Sequence, residues 1–122
     1  MNVVDSSGWI AFFRAEPNAD AFANPVGDLD DLLVPSICLI EVFKYLARYQ
    51  DVVTAVNATS HMSQGRVIAL DGALALDAAD CALKFGLPLA DSIIYATARK
   101  FAATLWTQDA DFENLPGVKF FP

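Results

Sequence analysis

Leu87-Pro88-Leu89-Ala90-Asp91-Ser92-Ile93-Ile94-Tyr95-Ala96-Thr97-Ala98 decides the fold of this chain. Pro88 suits the first turn of a helix, where a missing N–H costs nothing. Beyond it nearly every position is apolar or small, on through Phe101 and Ala102. A helix of this kind is buried around most of its circumference, so it lies inside a layered domain. Asp91 stands in its first turn, above Ile94, Tyr95 and Ala98 at the spacings that share a helix face. An acid there can simply answer the helix dipole. The rest of the chain, however, supplies further acids at matching places.

On the N-terminal side, Arg66-Val67-Ile68-Ala69-Leu70 reads as a β-branched strand. Asp71 then caps a helix with Leu74, Ala78, Cys81 and Phe85 on one face, Asp77, Asp80 and Lys84 opposite, and Gly86 as its stop. On the other side, Arg99 and Lys100 close the central helix at its negative dipole end. Ala103-Thr104-Leu105-Trp106-Thr107 follows as a strand, then the acidic turn Gln108-Asp109-Ala110-Asp111-Phe112 and a last strand, Val118-Lys119-Phe120-Phe121.

The first half repeats this grammar. Asn2-Val3-Val4-Asp5 is a strand ending in an acid, and Ser6-Ser7-Gly8 leads into a helix at Trp9–Phe13. The simplest role for Asp5 or Ser6 is an N-cap. Residues 16–31 read as a short helix and a polar loop. Leu32-Leu33-Val34-Pro35 is a strand, Ser36 caps a helix to about Gln50, and Asp51–Met62 is another helix before Ser63-Gln64-Gly65. On the helix from Ser36, Glu41, Lys44, Tyr45 and Arg48 form one stripe. It is either a solvent-facing salt-bridge stripe or a metal-site acid flanked by phosphate contacts. Strands alternating with helices predict an α/β fold with a mainly parallel sheet of four to five strands and helices on both faces.

The chain's 122 residues make a single domain spanning 1–122. Its 15 acids and 8 bases leave a net charge of −7, which argues against a general nucleic-acid-coating role. Clustered carboxylates neutralised by metal remain compatible with that charge. A hydrophobic content of 55% predicts apolar surface awaiting a partner or a second copy. No apolar run reaches the ~18 residues of a membrane span, and Asp5 follows the N-terminus at once, against a signal peptide. Cys38 and Cys81 lack metal-ligand spacing and read as small buried hydrophobes. These features predict a cytoplasmic protein without membrane attachment. His61, the single histidine, excludes a Cys/His zinc cluster or a histidine-based triad and is expected at a helix end or loop.

In parallel sheets, sites form beyond the carboxyl ends of the strands. Asp5, Glu41, Asp91 and Asp109 can all reach one such crevice. Oxygen ligands without His or Cys are what Mg²⁺ or Mn²⁺ takes, and those ions serve phosphoryl chemistry.

Four ordered motifs carry a resemblance across the whole chain: Val4-Asp5-Ser6-Ser7-Gly8-Trp9-Ile10, Ile40-Glu41-Val42, Leu89-Ala90-Asp91, and Thr107-Gln108-Asp109-Ala110-Asp111-Phe112. Together they resemble the PIN domain, and within it the VapC toxins of toxin–antitoxin pairs. The resemblance implies a three-layer α/β/α sandwich and a Mg²⁺- or Mn²⁺-dependent endoribonuclease. Its catalytic and metal-binding acids match Asp5, Glu41, Asp91 and Asp109, with Asp111 auxiliary and the hydroxyls of Ser7 and Thr107 as supports behind them. Lys44, Arg48 and Arg14 are the candidate RNA contacts. A cognate antitoxin and a homodimer are the implied protein partners. Ser6 departs from the family's frequent Thr but keeps the hydroxyl. An acid-rich α/β phosphatase needs a second acid at position 7, where Ser7 stands, and a phospho-accepting receiver needs paired acids near its first strand and a late Lys after a strand, neither of which is evident. The alternative of a non-catalytic PIN-like scaffold that binds a protein partner would be favoured by the loss of one of the four acids, and none is missing.

Overall fold

The computed structural model describes all of residues 1–122. β1 (Asn2–Val4) leads into α1 (Ser6–Phe13) and α2 (Ala19–Gly27), and β2 (Leu32–Pro35) into α3 (Ser36–Tyr49) and α4 (Val52–Met62). β3 (Arg66–Ile68) is followed by α5 (Gly72–Phe85) and α6 (Leu89–Lys100), then β4 (Thr104–Thr107) and β5 (Val118–Phe120). The five strands form one sheet in the order β3-β2-β1-β4-β5, parallel throughout. This is the α/β architecture that the alternation of elements predicts.

Strand order sets the layers. The connections from β1 to β2 and from β2 to β3 step one way across the sheet, and that from β3 to β4 steps back. Right-handed crossovers then put α1–α4 on one face and α5–α6 on the other. The packing agrees: α2 lies on β1 and α3 on β2, while α6 lies across β1, β2 and β4. Consecutive burial along Val3-Val4 and Leu32-Leu33-Val34 is the mark of strands covered on both faces. In α6 every residue from Ser92 to Ala98 is buried, as its composition predicts.

Gly8 is required where α1 crosses the sheet. A Cβ there would stand 2.8 Å from Phe22 Cε1 and from Val4 Cγ1. Gly86 ends α5 with φ of 66°, a left-handed cap that L side chains resist.

Several boundaries differ from expectation. Pro35, not Ser36, is the N-cap of α3, and Pro88 caps α6 rather than joining its first turn. Both prolines have extended ψ, and Pro88 O already accepts the Ser92 N–H at 2.8 Å. β3 stops at Ile68 because its neighbour ends there, at the pair Pro35–Ile68. β4 and β5 are each a residue shorter than expected. Cys38 is buried as expected, but Cys81 is only partly so, at the flank of α5. His61 does end a helix, α4, edge-on to the rings of Trp9, Phe12 and Phe13.

Candidate metal centre

The sheet reverses its strand order between β1 and β4, and this switch point opens the crevice that parallel sheets use for ligands. β1 runs into it with Asp5, 2% exposed. The Asp5 carboxylate caps α1: Oδ1 accepts the Gly8 N–H at 2.8 Å and the Ser7 hydroxyl at 2.8 Å. Oδ2 accepts Ser7 Oγ at 2.9 Å and Thr107 Oγ1 at 2.7 Å. Thr107, the last residue of β4, also accepts the Asp109 N–H at 2.9 Å. Asp109 in turn caps the next turn by accepting the Asp111 N–H at 2.9 Å. The capping roles of Asp5 and Asp109 therefore coincide with their positions at the crevice.

From the opposite face of the sheet, α6 brings Asp91 to the same place. The carboxylates of Asp91, Asp109 and Asp111 lie with one oxygen of each within 4.8 Å of the others. Their donor set of carboxylate oxygens fits a hard divalent cation such as Mg²⁺ or Mn²⁺. Such a grouping of like charges is costly when empty. Burial, followed by the charges of Asp109, Asp111 and Asp5, pushes the Asp91 carboxyl up to about 7. Burial also raises Asp5, to about 6, although Thr107, Gly8 and Ser7 all favour its charged form; Asp109 adds to the rise.

Glu41 enters from α3, where Ser6 Oγ donates to its Oε1 at 2.6 Å. The Cys38 thiol is buried beneath this end of β1, 4.0 Å from Val4 O. Burial raises it strongly, the Ser6 hydroxyl offsets part of that, and the charges of Asp5, Glu41 and Asp91 raise it further. The structure thus brings Asp5, Glu41, Asp91 and Asp109 to one end of the sheet. The tightest grouping is Asp91, Asp109 and Asp111, so the acid given an auxiliary part by sequence stands among the closest three. Ser7 and Thr107 both lie against Asp5. Ser6, an N-cap candidate whose hydroxyl the family resemblance also marks, caps nothing here and instead positions Glu41.

The α3 stripe is not a salt-bridge stripe. The chain's one ion pair is Arg14–Glu16 at 3.9 Å. Glu41, Lys44 and Arg48 instead line a cleft of about 300 Å³ with Ile40, Tyr45 and Tyr49. Arg14 reaches its edge, donating from Nη1 to Tyr45 Oη at 2.7 Å.

Residues 3–118 match the model of the PIN domain family. The chain belongs to that family. Solved structures with the same fold include a toxin–antitoxin complex from Klebsiella pneumoniae, with a TM-score of 0.81 and 22% identity over 98% of this chain and 96% of that one. A sarcin–ricin-loop-cleaving VapC toxin from Mycobacterium tuberculosis aligns over 100% of both chains, with a TM-score of 0.83 and 19% identity. A VapBC complex from Rickettsia felis, bound to a fragment of its promoter DNA, aligns over 98% of this chain and 96% of that one, with a TM-score of 0.76 and 15% identity. Among curated proteins no sequence match was found.

Proposed function

We propose that this protein is a Mg²⁺- or Mn²⁺-dependent endoribonuclease and the toxin of a toxin–antitoxin pair. The observation that carries the proposal is the meeting of Asp91, Asp109 and Asp111 within 4.8 Å beside the buried Asp5. Membership of the PIN family and the likeness to VapC toxins support it. Asp91, Asp109 and Asp111 would hold the cation, with Asp5 and Glu41 completing the acidic wall. A divalent ion bound there supplies positive charge to the scissile phosphate and makes a bound water acidic. Ser7, Gly8 and Thr107 fix Asp5, and Ser6 fixes Glu41, so the acids are oriented before substrate arrives. Lys44, Arg48 and Arg14 would contact flanking phosphates. In-line attack of water would break the bond from phosphorus to the 3′ oxygen, which leaves and takes up a proton as a 3′-hydroxyl, and the phosphate would stay on the 5′ end of the other fragment.

An antitoxin as protein partner is supported by the solved complexes of this fold and by exposed apolar side chains on several helices. Leu76 and Leu83 of α5 are 75% and 88% exposed, and Leu89 at the start of α6 is 78% exposed. A second copy of the chain would cover the same kind of surface. The deciding experiment is cleavage of a structured RNA by the purified protein with millimolar Mn²⁺, with EDTA, and after Asp91→Asn. Cleavage with Mn²⁺ alone, lost in the other two, is the expected result. Equal cleavage in EDTA would refute the metal-dependent reading.

A further inference from the structure

The cleft beside Glu41 has a composition that phosphate binding alone does not require. The Tyr45 and Tyr49 rings lie 4.7 Å apart between centroids, tilted by 47°. The Arg14 guanidinium sits 5.4 Å from the Tyr45 centroid, and that of Arg48 5.6 Å from the Tyr49 centroid. Tyr49 is 59% exposed and outside the hydrophobic core, so core packing does not account for it. Lys44 and Arg48 carry no ion pair. Thus Arg14, Lys44 and Arg48 gather, in a chain of net charge −7, around two tyrosines at one cleft. Glu41 forms part of its wall and is hydrogen-bonded to Ser6, next to Asp5. Tyr45 and Tyr49 stand one and two turns beyond Glu41, roughly 6 and 12 Å along the helix axis.

We propose that this cleft receives an unpaired RNA base on the exposed Tyr49 ring, which Tyr45 backs, with the Arg48 side chain swinging off that ring to join Lys44 on the adjoining phosphates. Aromatic faces beside cations bind single strands, because every exposed base offers a π-face. A duplex keeps its bases stacked on one another and presents mainly phosphate and ribose. The cleft therefore selects single-stranded segments or loops near the cut. This rests on the ribonuclease reading, and the test separates the two.

Binding is measured in EDTA, where cleavage is suppressed, by anisotropy of a labelled single-stranded RNA hexamer and of a blunt duplex of the same sequence. The parent protein should bind the single strand more tightly than the duplex. Tyr49→Ala should weaken single-strand binding about tenfold and leave duplex binding unchanged, a loss of the size typical for one stacked base. Tyr49→Trp should restore it. With Mn²⁺, Tyr49→Ala should raise KM for a single-stranded substrate and leave kcat near the parent value. Tyr49 is exposed, so the variant is expected to fold, and Arg48→Gln, which removes a phosphate contact, should weaken single-strand and duplex binding alike. Unchanged hexamer affinity in Tyr49→Ala and Arg48→Gln would overturn the subsite, the more so if either variant lost a copurifying protein partner, since the cleft would then belong to that partner. A protein that cleaves no RNA yet binds hexamers through Tyr49 would refute the nuclease and leave the subsite standing.

Discussion

At the residue scale, the acids of the crevice are held against their own repulsion by hydrogen bonds. In the metal-free protein Asp91 keeps its proton to about 7, against 3.8 for the ordinary carboxyl, and Asp5 to about 6. Between those values the folded state binds more protons than the unfolded chain, so the two groups make stability fall as pH rises. Their stabilising contribution is fully present below about pH 4 and lost by about pH 7. Melts in EDTA at stepped pH should show this decline, and millimolar Mn²⁺ should reverse it at pH 7. A melting temperature indifferent to Mn²⁺ would count heavily against the site. Asp91→Asn sharpens the distinction between a ligand and a dipole partner. A dipole partner would lose about 0.3–1 kcal/mol of stability and spare activity. A ligand among like charges should leave stability level or higher, while Mn²⁺-dependent cleavage falls by orders of magnitude. The exposed Asp77→Asn serves as the control.

At the scale of the elements, the end of β1, the start of α1 and the end of β4 work as one unit. Thr107 Oγ1 ties β4 to the Asp5 carboxylate that caps α1. Thr107→Val keeps the shape and removes this donor from a buried acid, which should cost about 1–3 kcal/mol in urea unfolding and raise the Asp5 carboxyl further. A variant as stable as the parent would show that the contact contributes nothing. Gly8→Ala presses a methyl against Phe22 and Val4; overpacking of this kind costs about 1–3 kcal/mol. Of these elements, sequence showed the strand ends and acidic caps through alternation and turn chemistry. It misplaced the start of α3 because Pro35 is at once the last residue of β2 and the cap, and that of α6 because a proline that fits the first turn also fits the cap, where only ψ distinguishes them. The length of β3 was equally hidden: Ala69 and Leu70 are apolar but lie past the end of β2, where no partner strand remains.

For the whole molecule, the exposed leucines of α5 and α6 predict association. Light scattering of the purified protein should give a dimer, or coexpression with a small reading frame adjoining its gene should yield a tight complex. A clean monomer that captures no partner would contradict this. Leu83→Lys, which lies far outside the core at 88% exposure, should weaken whichever contact forms there without unfolding the chain. The sequence by itself determined the alternation of strands and helices, the burial of α6 and the identity of the acids. Those features follow from local periodicity, side-chain chemistry and a motif order that resembles a known family. Tertiary structure alone decided the order β3-β2-β1-β4-β5 and the register that sets Val4 against Trp106. That register places Thr107 on Asp5 across a separation of 102 residues and draws Asp111 into the closest group of acids. Pairing of distant strands depends on packing summed over the whole sheet, which no local pattern encodes.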